Sequence, residues 1–310
     1  MKLLVILIGF VVMTSQVFAQ QPTIDSTRKK LPLRPINPRN KTYRSIEETK
    51  IANPDSVFRL DIGRKSLTEF PQEVLSFPNL EVLSLDNNKI KQIPQSISLL
   101  KNLRELNIRY NELTELPPAI GSLSNLHILE CSSNKITKLP PEIGKLTSLE
   151  KLGVNDNQLT AIPGEIGKME KLAMLTLTNN KITSLPADLL KMDWLAQLDI
   201  SNNQITTLPP EITGLKGLRI LQAGGNQIKV LPNEIGELTK LDRLELKDNQ
   251  LARVPASIGN ILGLRNLDLS GNPLVDLPIP ELAKLPNLRT LLISNAPKPN
   301  VKKPPVPMGK

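Results

Sequence analysis

The chain holds one Cys, one His and one Trp among 310 residues, and aromatic side chains make up only 3% of it. A single Cys excludes an intramolecular disulfide framework and any zinc site built from several thiolates. A single His excludes paired-His metal motifs such as H-E-x-x-H. Scarce aromatics argue against a sugar-binding surface, which wants several exposed ring platforms. No G-x-x-x-x-G-K-[ST] or G-x-G-x-x-G follows a strand pattern, so no phosphate cradle is encoded and no cofactor is expected. What the chain does have is basic charge: 39 Lys and Arg against 30 Asp and Glu, a net +9. That excess suggests nucleic acid or an anionic membrane until the charges are located.

Met1-Lys2 opens a short positive region, followed by an apolar run from Leu3 to Met13 and then Val17-Phe18-Ala19, a small-x-small pattern. This is the layout of a secretory signal peptide over residues 1–19, cleaved after Ala19, which predicts a secreted or periplasmic chain starting at Gln20. The apolar run falls short of the about 20 residues that cross a bilayer, and nothing later approaches that length, so no membrane span is expected.

Self-similarity governs the rest. Asn recurs at 88, 111, 134, 157, 180, 203, 226, 249 and 272, each 23 residues after the last. Around it runs one frame, as in Leu103-x-x-Leu106-x-Ile108-x-x-Asn111-x-Leu113-x-x-Leu116-Pro117, then Ile120, Gly121 and Leu123. An initial copy starts at Val57 with Lys65 in the Asn position, and a final partial copy carries Leu288, Leu291, Ile293 and Ala296. The L-x-x-L-x-L part alternates as a short strand with one buried face does. So short a strand cannot bury that face alone, and copies must stack in parallel. The Asn side chain, both donor and acceptor, suits loop groups that leave the ladder, which predicts a buried structural ladder of Asn88, Asn111, Asn134, Asn157, Asn180, Asn203, Asn226, Asn249 and Asn272. Leu-Pro fixes an extended turn. The Gly of the following I-G-x-L suits the end of a short helical turn.

This frame resembles the typical 23-residue leucine-rich repeat, and its L-P-x-x-I-G-x-L outer segment is similar to Ras-group and Scribble-like proteins and to exported bacterial repeat proteins. The resemblance implies an α/β repeat solenoid, a right-handed horseshoe with about eleven parallel strands on the concave face and short helical or irregular segments outside. The chain then divides into the leader 1–19, a basic Pro-rich linker 20–43 read as disordered, an N-terminal capping helix within 44–56, repeats over 57–296 and a Pro/Lys-rich tail 297–310 read as disordered. The helix signal is Ser45-Ile46-Glu47-Glu48, a capping box, and the helix is expected to cover the open edge of the first strand. Cys131 takes a leucine position and reads as a small buried hydrophobe.

Side chains between the strand leucines project from the concave face. The third position of successive copies reads Arg59, Val82, Glu105, Ile128, Lys151, Met174, Gln197, Ile220, Arg243, alternating polar and apolar, so the unit is a pair of repeats. Val82, Ile128, Met174 and Ile220 thus form a dotted apolar line, and Arg104, Arg109 and Tyr110 form the best aromatic–cationic cluster, since interface hot spots favour Tyr, Trp and Arg. The line also reads as a record of how the repeats multiplied. His127 has no sequence partner, and the concave carboxylates are mixed with Lys and Arg, so no catalytic constellation is expected and the chain reads as no enzyme.

The charge now has an address. Residues 20–56 carry eight basic and four acidic side chains, and residues 297–310 carry four Lys and no acid. With Lys2 gone in the leader, the repeat body holds 26 of each sign, so nucleic acid is not an expected partner. The reading is a non-enzymatic interaction module, exported, that offers its concave surface to a protein partner. An intracellular scaffold or signalling adaptor of the Ras-group type is one alternative. A binder of cell-surface polysaccharide or an anionic surface, helped by weak contact through the tails, is the other.

Overall fold

The computed structural model describes residues 41–293, so the leader, residues 20–40, Ala296 and the C-terminal tail lie outside it. Twelve parallel strands form one sheet in sequence order: β1 (Thr42–Tyr43), β2 (Arg59–Asp61), β3 (Val82–Ser84), β4 (Glu105–Asn107), β5 (Ile128–Glu130) and β6 (Lys151–Gly153). The row continues through β7 (Met174–Thr176), β8 (Gln197–Asp199), β9 (Ile220–Gln222), β10 (Arg243–Glu245), β11 (Asn266–Asp268) and β12 (Thr290–Leu292). The sheet is open, and outer connections stack behind it as a horseshoe solenoid.

There is one strand more than the eleven copies supply. Thr42-Tyr43, placed by sequence in the linker, pairs with Arg59-Leu60 and covers the edge of β2. The Ser45 half of the capping box forms: Ser45 Oγ accepts from Glu48 N–H at 3.2 Å, while Glu48 Oε2 accepts from the N–H of Arg44, one residue before the cap, at 3.0 Å. Its helix, α1 (Ile46–Thr49), spans only four residues, too few to shield a strand by itself. Sequence periodicity missed β1 because two residues carry no period. Tyr43 is buried at that end of the core, with Lys41 Nζ 4.4 Å from its ring centre. At the other end β12 pairs only with β11 among the described residues, and Leu292 is 41% exposed.

Between the two ends the frame acts as a spacer. The strand leucines and the apolar residues of the outer turns make one continuous core, nearly all fully buried. Each buried Leu contributes roughly 1.5–3 kcal/mol. Pro71, Pro94, Pro117, Pro140, Pro163, Pro209, Pro232 and Pro255 precede 3-10 turns of five residues, their φ held between −65° and −73°. The glycine of the outer segment has a different reason from helix termination. Gly144 sits inside its turn, Pro141–Lys145, where a Cβ would strike the Glu165 carbonyl of the next repeat. Close approach of stacked backbones demands glycine there. The seventh connection departs from the rest, with a three-residue turn Leu189–Lys191 and α2 (Ile279–Ala283) replacing the turn in the last.

The nine asparagines, all buried, tie each copy to the one before. Asn157 Oδ1 accepts the Ile136 N–H at 2.9 Å, while Nδ2 donates to the carbonyls of Asn155 at 2.9 Å, Cys131 at 3.1 Å and Val154 at 3.2 Å. The same pattern recurs at Asn111, Asn134, Asn180, Asn203, Asn226, Asn249 and Asn272. Asn88 keeps the pattern, accepting from the Leu67 N–H and donating to the Ile62 and Leu85 carbonyls, and accepts in addition from the Lys65 N–H of the irregular first copy.

Candidate functional site

Strict pairing sets the concave face. Arg59, Val82, Glu105, Ile128, Lys151, Met174, Gln197, Ile220 and Arg243 are direct neighbours across β2 to β10 and all half-buried. Apolar side chains therefore recur on every second strand, about 9.6 Å apart at the usual strand spacing. Val82 and Ile128 line a depression of about 320 Å³, with Glu105, Asn107, Arg109, Glu130 and Lys151 around them. Lys151 Nζ meets Glu130 Oε1 at 2.7 Å, and Gly153 leaves room for the Glu130 carboxylate to lie over it.

The row two residues further along each strand has a second duty that sequence reasoning missed. Asp61, Asn107, Asp199 and Asp268 each accept the N–H two residues on, closing an Asx turn where the chain leaves the sheet. The signal was the recurrence of Asp or Asn at one register, hidden because Ser, Glu, Gly, Thr and Gln share it. Next to each ladder Asn, the preceding residue adopts left-handed φ, as Asn87, Asp156, Asn179, Asn202, Gly225, Asp248 and Gly271 do. Tyr110 holds the same conformation, φ +53°, although a bulky side chain is disfavoured there. Tyr110 is 56% exposed, and Arg109 lies 5.8 Å from its ring centre with its buried Nε lacking a partner among the described residues. Arg104 does not join them. It stands at the other end of β4, where its charge acts on His127.

Comparison with protein families now has a geometry to rest on. Models described as leucine-rich repeat match residues 56–113, and models described as leucine-rich repeat region match 100–201 and 189–303. The chain belongs to the leucine-rich repeat family. Among solved structures this leucine-rich repeat protein is similar to one from Leptospira interrogans, at 33% identity and a TM-score of 0.75, covering 83% of this chain and 72% of that one. The functional domain of InlJ from Listeria monocytogenes, which includes a cysteine ladder, is 26% identical with a TM-score of 0.66, over 78% of this chain and 54% of that one. The ectodomain of the Arabidopsis receptor kinase HAESA, solved with a peptide hormone ligand, is 29% identical with a TM-score of 0.65, over 82% of this chain and 44% of that one. A comparison with curated proteins finds no match.

Other singular residues of this leucine-rich repeat protein have structural posts. Asn79, Asn102, Asn125 and Asn287 donate across the outer flank to carbonyls of the preceding copy, and Trp194 Nε1 takes the same post, donating to Met169 O at 3.2 Å. Cys131 is buried, its thiol pushed far up by desolvation and then by Glu130, so it carries no thiolate. Among the described residues no group of His, Cys, Asp and Glu is placed to hold a metal ion, and no helix is long and apolar enough to cross a membrane.

His127 is half-buried, and desolvation followed by the Arg104 charge holds its imidazole below the ordinary value of 6.5. A base whose native pKa lies below its unfolded one takes up a proton more readily unfolded, so stability falls as pH drops through 6.5 toward the native value and is full above it. Melting temperature measured between pH 8 and pH 5 should therefore decline less steeply in His127→Gln than in the parent. Equal slopes in the two proteins would contradict that coupling.

Proposed function

We propose that the protein is an exported, non-enzymatic interaction module that offers its concave sheet to a protein partner. The observation that carries this reading is the in-register row, with half-buried apolar anchors on alternate strands and ionic side chains between them. A rigid surface of that kind binds without rearrangement of its backbone. Tyr110 beside Arg109 supplies the type of exposed anchor on which interface energy concentrates. The HAESA ectodomain, solved with its peptide ligand, supports extending a ligand-binding role to this chain, and the layout of residues 1–19 supports export.

The test is to capture the partner with the tagged protein in the cells that make it and then to measure two variants against it. Ile128→Asp and Met174→Asp are each expected to weaken binding by at least about 10-fold, the level of a hot-spot residue. Both should keep the parental melting temperature, because the side chains are half-exposed. Unchanged affinity in both would remove the concave row from the interface, and early melting would assign the two residues to the core. An intact mass starting at Gln20 is the outcome that export requires.

A further inference from the structure

Row spacing and chain composition together identify an occupant for the apolar line. Anchors on every second strand lie about 9.6 Å apart. A polyproline II helix repeats its side chains every three residues, about 9.3 Å. In Leu31-Pro32-Leu33-Arg34-Pro35-Ile36-Asn37-Pro38, the prolines recur at three-residue intervals and so do Leu33 and Ile36. We propose that the segment 31–38, which lies outside the described residues, docks along the concave row of its own chain with Ile36 on Val82 and Leu33 on Ile128.

Two further observations support this register. The chain enters the sheet at Thr42, which pairs with Arg59 and so starts the same row that continues to Val82 and Ile128. Val82 is two strands from Thr42 and Ile128 four, about 10 and 19 Å. Six residues separate Ile36 from Thr42 and nine separate Leu33 from it. Extended, these reach about 20 and 30 Å, enough to rise over the sheet and still arrive. Covalent attachment gives the segment an effective concentration of order mM, so a weak contact suffices. The docked segment covers the face assigned above to a partner and competes with it.

Disulfide trapping in the full chain, with no partner present, tests docking separately from partner binding. Ile36→Cys with Val82→Cys should close an intrachain disulfide, read by intact mass. Ile36→Cys with Ile220→Cys, six strands further along, should not. The native Cys131 is buried and stays out of the reaction. Linkage between two chains, linkage in both pairs, or linkage in neither overturns the proposal. A second measurement needs no change in the sheet: trypsin cuts after Lys30 and Arg39 should speed up about tenfold in Leu33→Asp/Ile36→Asp if nine-tenths of the parent is docked, since cleavage tracks the open population. Equal cutting rates would also overturn it.

Discussion

Replacing Asn157 by Ala should lower the melting temperature by about 4–12 °C, more than any surface substitution on the molecule. The substitution orphans the Ile136 N–H and takes one of two donors from each of the Cys131, Val154 and Asn155 carbonyls, which keep Asn134 Nδ2, Asn180 Nδ2 and the Ser133 N–H, at a site where the side chain is 7% exposed. Each buried polar group left without a partner costs about 1–3 kcal/mol. One orphaned N–H together with three weakened carbonyls gives about 2–3 kcal/mol, and each kcal/mol moves the melting temperature by about 2–4 °C in a domain of this size. Asn88→Ala should cost about as much: the Lys65 and Leu67 N–H groups it serves are only part-buried and can turn to water, but the Ile62 carbonyl, which accepts from its Nδ2 at 3.1 Å inside the core, loses that donor. Calorimetry on the two variants decides the matter. An Asn157→Ala protein that melts with the parent would mean the ladder adds nothing to stability.

The second large effect is expected at Gly144. A Cβ there meets the Glu165 carbonyl carbon at 2.9 Å, and both partners are backbone held by their own 3-10 turns. Gly144→Val must push two adjacent copies apart along the outer wall, an overpacking that costs about 1–3 kcal/mol. Gly164→Ala is the comparison built into the same wall. Its Cβ would touch only the Asp188 carboxylate at 3.1 Å, on a flexible exposed side chain. Thermal melts should therefore separate the two glycines, with Gly144→Val clearly lower and Gly164→Ala near the parent. Equal melting of both variants would show that the outer wall gives way easily.

The recurrence of Asn at 23-residue intervals was enough to place the strands, their register and the buried polar ladder, because each depends only on residues within one copy and its neighbour. Features that occur once were not legible in that way. Thr42-Tyr43 has no period to announce it, so β1 appeared only when its backbone was seen beside β2. Arg104 and Arg109 lie five residues apart in sequence, yet β4 separates them to opposite ends of the strand and divides the expected cluster. The glycine of the outer segment read only as suited to the end of a helical turn, since contact between stacked copies cannot be read within one of them. The concave row itself was read correctly as a sequence of side chains. What that row contacts depends on chemistry outside the repeats.

The unequal ends of the sheet give the molecule a direction in which it comes apart. Among the described residues each terminal strand has one neighbour, but β1 carries α1 and the buried Tyr43 against the first repeat, whereas β12 leaves Leu292 open to water. In a stack where every copy is held by its two neighbours, loosening begins where a neighbour is missing and travels inward one copy at a time. The horseshoe therefore frays from its C-terminal tip, and the Val82–Ile128 stretch of the concave face, which lies near the secured end, is among the last parts to lose its shape.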